Sequence, residues 1–347
     1  MDVTQAGEQK HRSRFWPVMR VAVSAALVAW VLHRARWAEV AEAFRAADLW
    51  PVLLALALNP IGYWASVSRW RLLLRTQGVD IPFGFLVRSF LVGVFFNNLL
   101  PSTVGGDAMR AWESSRAGAG RSTAVAVVLV DRFLGLLTLM LLAGAGVLLS
   151  PRLTERVPSL YAWVLAGALG MAFIAWLLFG RSARAESLLA WGLGRFPERW
   201  RPKLDGAARA LLGFRGRWPV LGKALAYSLV LQVAVVANGW LLAKALHVPI
   251  PLPYFFLIVP LAVFVMMIPV SINAIGVREN VWAFFFTAFG VANAAAAGVA
   301  VAWLDYSLVL LQALVGGVLW MAGRRARREP VGEPVAERPL EAGGAVR

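Results

Sequence analysis

Two stretches of the chain set ionisable residues beside helix breakers in otherwise apolar surroundings. The first, Pro101-Ser102-Thr103-Val104-Gly105-Gly106-Asp107, follows Asn97-Asn98 and leads to Arg110 and Glu113. The second is Pro269-Val270-Ser271-Ile272-Asn273-Ala274-Ile275-Gly276-Val277-Arg278-Glu279. Each carries a proline, a hydroxyl residue, a glycine-bearing loop and then an arginine beside or near an acid. Further on, Val128-Leu129-Val130-Asp131-Arg132 and Ala302-Trp303-Leu304-Asp305-Tyr306 bury an acid in an apolar run. A charge at the centre of a membrane helix costs about 3 kcal/mol, so each needs a partner or a ligand.

These residue types suit an anion. N–H groups freed where Gly105-Gly106-Asp107 starts a new helix form an anion-binding end. Arg110 and Arg278 have the fork of donors that holds a phosphate. Asp131 and Asp305 balance the arginines while the site is empty, and Asp107 and Glu279 tune or release the ligand. Asn98, Ser102, Gly105, Gly106, Arg132, Ser271, Asn273 and Gly276 complete the candidate substrate-binding set. The alternative is structural, with Arg–Asp pairs that neutralise each other and pin the broken segments. Recurrence in both halves favours binding.

Other chemistries lack their residues. There is no cysteine, and the three histidines, His11, His33 and His247, lie far apart. No Ser/His/Asp arrangement is found, so no catalytic residue is assigned. Gly105-Gly106 has neither the lysine nor the preceding strand of a nucleotide loop. No metal or cofactor is expected.

Membrane helices must position these groups. Of 347 residues 59% are apolar and 16% charged, against about 25% charged in soluble domains. The net charge of +16 on so apolar a chain argues against a nucleic-acid partner. Runs at 18–32, 49–67, 122–149, 160–179, 219–246 and 294–321 suit crossing helices. A cleaved signal peptide is the alternative for the first. Tryptophans such as Trp16, Trp37, Trp50, Trp70 and Trp218 read as interface anchors. Two shorter runs, 89–100 and 254–268, end in the breaker motifs and read as helices that enter the membrane and turn back, which is tolerated where they line a polar cavity.

Charge supports that topology. If all eight runs crossed, segment 181–217, with nine basic and three acidic residues, would face outside, against the positive-inside rule. With two re-entrant hairpins, both termini and every strongly basic loop face the cytoplasm. The expected fold is therefore an all-α polytopic membrane protein of about six crossings and two re-entrant hairpins arranged as inverted repeats. Residues 1–16 form a basic cytoplasmic N-terminus and 17–150 a first repeat with its hairpin near 83–118. The second repeat, 151–322, has a hairpin near 253–290 and an amphipathic cytoplasmic segment at 181–217, where Leu204, Ala207, Ala208, Leu211 and Leu212 recur at helical spacing. The tail 323–347 is basic and then disordered in composition.

On Asn98-Leu99-Leu100-Pro101-Ser102, Gly105-Gly106-Asp107 with Arg110, Asp131-Arg132 with Gly135, and Pro269-Val270-Ser271 with Gly276-Val277-Arg278-Glu279, the chain resembles the flippase-like transmembrane family typified by the membrane portion of bacterial lysylphosphatidylglycerol synthase (multiple peptide resistance factor). The likeness covers about residues 15–321; Asn273-Ala274 departs from the glycine-richer loop of that pattern. It implies movement of a polar-headed lipid between leaflets. With residues 322–347 alone after the last span, a stand-alone transporter without the synthase domain is expected, not an enzyme.

The function expected is a flippase that passes a phosphate-bearing lipid through a polar midplane cavity. The alternatives are a membrane-embedded transferase or phosphatase acting on lipid-linked substrates, and an assembly partner for envelope proteins. Expected partners are the lipid, anionic headgroups at the basic face, and a second copy or a lipid-synthesis enzyme. The expected location is a bacterial cytoplasmic membrane.

Overall fold

A computed structural model describes residues 37–99, 105–149, 159–180, 183–195, 201–268 and 274–326. Its helices are α1 (Trp37–Arg45), α2 (Leu49–Thr76), α3 (Phe83–Leu99), α4 (Gly105–Ser114), α5 (Arg121–Leu149), α6 (Ser159–Phe179), α7 (Ala183–Gly194), α8 (Arg201–Leu212), α9 (Trp218–Ala245), α10 (Leu252–Met267), α11 (Val277–Ala288) and α12 (Ala294–Ala326). No strand occurs among the described residues. Helices α2, α5, α6, α9 and α12 are long and apolar enough to cross a membrane, and large apolar side chains such as Trp163 and Leu148 cover their outer faces. The chain is an all-α polytopic membrane protein. The expected first span at 18–32, the segments 1–16 and 327–347, and the breaker loops 101–104 and 269–273 lie outside the described residues.

Two boundaries differ from the sequence reading. Helix α2 does not stop at residue 67 but continues to Thr76, because no breaker lies between residue 67 and Gly78, whose φ is +78°. The arginines at 69, 71 and 75 are thus helical rather than in a loop. Helix α3 starts at Phe83, just after Pro82, whose carbonyl accepts from Leu86 N–H at 3.2 Å; Arg88 does not interrupt it. In segment 181–217, α8 lies against the start of α5, with Gly206 facing Ser122 and Leu211 packed into a cluster around Trp70 and Phe214.

The central pair, α2 and α9, runs antiparallel. Asp48 N–H donates to Ala245 O at 2.9 Å, Trp64 packs edge-on to Tyr227 at 5.7 Å, and Gly62 meets Leu231. Both helices have 28 residues, and their first residues, Leu49 and Trp218, set an offset of 169. Gly62 and Leu231 are equivalent under that offset and touch. This contact of matching positions on antiparallel helices gives α2 and α9 a local two-fold relation.

Each central helix is followed by a short helix, a break, a second short helix and a long one. Helices α3 and α4 fold back on each other, with Gly106 N–H donating to Asn97 Oδ1 at 2.6 Å and Ser89 Oγ to Glu113 Oε2 at 3.5 Å. Helices α10 and α11 do the same through Tyr254 with Phe289, 4.8 Å between ring centroids, and Phe255 with Trp282. At 1.5 Å per residue, the 17 residues of α3 and 16 of α10 make arms of about 25 Å, short of a hydrocarbon core of about 30 Å.

The hairpins are exchanged between the halves. Gly146 of α5 sits on the backbone of α10, where a Cβ would lie 2.5 Å from Leu257 N, and Gly316 of α12 sits on the α3 backbone at Leu91. Each hairpin therefore packs on the last long helix of the other half. Small residues permit such approach between membrane helices, where van der Waals packing replaces the hydrophobic driving force.

Candidate functional site

The first polar cluster is built on Asp131, which lies in α5 with 2% of its side chain exposed. Arg69 of α2 donates from Nε to Asp131 Oδ1 at 2.6 Å, and Arg110 of α4 donates from Nη1 to Oδ2 at 3.1 Å. Arg69 also donates from Nη1 to Ser228 Oγ of α9 at 2.5 Å. Arg132, next to Asp131, pairs with Asp107. The other Asp107 oxygen is 3.8 Å from Arg110 Nη1; three residues apart on one helix, the two share a face. Two buried charges pull strongly at short range, but their desolvation offsets much of that gain, so the pairing fixes geometry more than it adds stability.

Arg110 is 6% exposed and only partly satisfied. Its guanidinium lies 4.4 Å from the Trp70 ring centroid and 5.6 Å from that of Phe90, a stacked cation–π setting. Its Nε and Nη2 are buried without an acceptor. It lines a cavity of about 260 Å³ with Arg69, Asn97, Asp107, Asp131 and Arg132, to which Val263 and Met267 of α10 also contribute. A buried donor left unpaired costs about 1–3 kcal/mol, more when charged. Arg110 thus keeps two donors without a protein partner beside the cavity.

The second cluster is built on the corresponding helices of the second half. Asp305 of α12 accepts from Arg278 Nη1 of α11 at 3.1 Å and from Asn238 Nδ2 of α9 at 3.1 Å. Arg278 sits 5.4 Å from the Tyr306 ring centroid. Asn238 is the equivalent of Arg69 under the 169-residue offset, so the second half has an amide where the first has a guanidinium. Gly276, at φ +82°, donates its N–H to Glu279 Oε2 at 2.7 Å.

The sequence-named residues fall as follows. Gly105, Gly106, Asp107 and Arg110 come to Asp131 and Arg132, and Gly276, Arg278 and Glu279 stand at the start of α11 beside Asp305. Ser102, Ser271 and Asn273 lie outside the described residues. Gly106 N–H is already given to Asn97, and Gly276 N–H to Glu279, so neither amide is a free anion-binding group and Glu279 acts as a helix cap. Asn98 donates from Nδ2 to Val94 O at 2.9 Å within its own helix. Trp70 is no interface anchor: it is fully buried under Arg110, because it faces the bundle. Arg69 and Asn238 escaped the sequence reading. The sequence signal for Arg69 was the lack of any glycine or proline between residue 67 and Arg75. No group of three metal-ligating side chains gathers among the described residues.

Comparison with known proteins places these observations in a family. The family described as the lysylphosphatidylglycerol synthase TM region matches residues 18–336. A UPF0104 membrane protein of Pyrococcus horikoshii is 25% identical over 300 residues, 80% of this chain and 89% of the relative. A UPF0104 membrane protein of Methanothermobacter thermautotrophicus is 26% identical over 321 residues, 84% of this chain and 90% of the relative.

Proposed function

The chain belongs to the lysylphosphatidylglycerol synthase transmembrane-region family, and we propose that it is a flippase carrying a phosphate-bearing lipid headgroup between leaflets. The observation that carries this reading is Arg110: a buried guanidinium with two unpaired donors beside a polar cavity inside a membrane bundle. A headgroup phosphate supplies the acceptors those donors lack. Asp131, held by Arg69 as well, keeps Arg110 in place and gives it a partner when the lipid leaves.

The two hairpins are re-entrant and enter from opposite faces, which the local two-fold relation of α2 and α9 and the short arms support. Because α10 of the second half also lines the cavity built by α2–α5, movement of one half against the other changes access to Arg110, the pattern of alternating-access carriers built from inverted repeats. Arg278 and Asp305 form the matching latch in the second half. In this reading the protein sits in a bacterial cytoplasmic membrane with both termini in the cytoplasm, an orientation that the basic loops support.

Reconstitution into liposomes with a fluorescent anionic lipid tests the reading, with the lipid in the outer leaflet quenched chemically. Wild-type protein is expected to exchange lipid between leaflets, and Arg110→Gln to slow exchange about tenfold or more, since charge-assisted hydrogen bonds of about 1.5–3 kcal/mol are lost. Exchange at the wild-type rate in Arg110→Gln refutes the role of Arg110.

A further inference from the structure

The polar cavity has an apolar neighbour. Between α2, α3 and α12 lies a groove of about 380 Å³ lined by Pro60, Trp64, Val67, Val87, Leu91 and Val315. Phe90 belongs to both spaces. On the groove side it packs on Tyr63, 5.1 Å between centroids; on the cavity side it lies against the Arg110 guanidinium. Tyr63 turns its hydroxyl to Gln312, so the groove wall is left apolar.

Charge in the cavity is unbalanced. Arg69, Arg110 and Arg132 face Asp107 and Asp131, three cations against two anions, which leaves one positive charge. One monoanion neutralises it. A dianionic phosphomonoester overshoots, and a zwitterion leaves its ammonium among arginines.

We propose that the cavity and the groove are two parts of one site, which takes a monoanionic phosphodiester lipid with its phosphate on Arg110 and a hydrocarbon chain in the groove, parted by Phe90. This rests on the carrier reading for its ligand class but concerns binding alone. The groove's occupant is the ligand's own chain, because the two spaces meet at Phe90 and an amphipathic lipid needs an apolar channel within reach of its headgroup.

The test uses the full-length protein in detergent with phosphatidylglycerol bearing a photoreactive diazirine in one acyl chain, and phosphatidylcholine with the same chain. Crosslinked positions are read by mass spectrometry. The phosphatidylglycerol probe is expected to label the peptides holding Val87, Leu91 and Val315, about tenfold above phosphatidylcholine. Arg110→Gln abolishes that preference, and Val87→Trp, which fills the groove, lowers labelling while the protein stays monodisperse. Equal labelling by both lipids, unchanged in Arg110→Gln, means ordinary boundary lipid and overturns the proposal. Competition by soluble glycerophosphoglycerol as effective as that by the whole lipid also overturns it, since the chain then adds nothing. Should flipping fail in liposomes while selective labelling persists, the carrier reading falls and the site stands. Flipping without selective labelling gives the reverse.

Discussion

At the scale of single residues, two arginines share one carboxylate with different duties. Arg69 is bound at both ends, to Asp131 and Ser228, whereas Arg110 makes one bond to Asp131 and leaves two donors open. Arg69→Gln should therefore destabilise more than Arg110→Gln, by about 3–5 kcal/mol for a broken buried pair, read as thermal midpoints in detergent. Arg110→Gln should instead lose lipid binding at modest cost in stability. Asp80 offers the contrast. The two-point hydrogen bond from Arg75, at 2.9 and 3.1 Å, holds its carboxyl below the usual range. Its folded-state value is depressed, so whatever stability it adds is present above the unfolded-state value and lost as pH falls through the folded one. Being solvent-exposed, this pair contributes little, and Asp80→Asn should leave the midpoint where Asp131→Asn lowers it.

At the scale of elements, the exchange of hairpins depends on two glycines. A Cβ at Gly146 or Gly316 meets backbone, which cannot swing aside, whereas Gly144 has nothing within 4 Å. Gly146→Leu and Gly316→Leu should each cost about 1–3 kcal/mol or more through overpacking, and Gly144→Leu should be tolerated, as melting curves of purified protein would show. Much of the element order was legible beforehand. Four runs of apolar residues match α5, α6, α9 and α12 to within about five residues, because a membrane span has a length fixed by the bilayer, and the fifth matches α2 at its start. The end of α2 was misjudged because a basic cluster ordinarily marks water, and here Arg69 is neutralised by a residue 62 positions away.

At the scale of the whole molecule, the proposed inverted re-entry has the two hairpins open to opposite faces of the membrane. The absence of cysteine allows single-cysteine labelling in oriented vesicles. Trp112→Cys, at the base of the first hairpin, should react with impermeant maleimide from the cytoplasmic side, and Phe289→Cys, at the base of the second, from the other. Labelling of both from one side would refute inverted re-entry. The local two-fold relation of α2 and α9 also exposes an asymmetry in an otherwise repeated design: Arg69 in one half, Asn238 in the other. The first half thus holds excess positive charge and a donor-rich cavity, and the second a balanced pair.

Composition and the spacing of apolar runs by themselves determined that this is a helical membrane protein, because bilayer thickness and backbone hydrogen bonding leave few alternatives. The repeated breaker motifs, and the acids set in later spans, also marked where the buried charges meet. Only the tertiary structure decided which charges pair. Asp131 could have met Arg110, Arg132 or neither on spacing alone, and Arg69 entered the site because α2 runs past its apolar stretch and turns that face inward. Ion pairing depends on separation in space to within an ångström, and sequence distance does not set it.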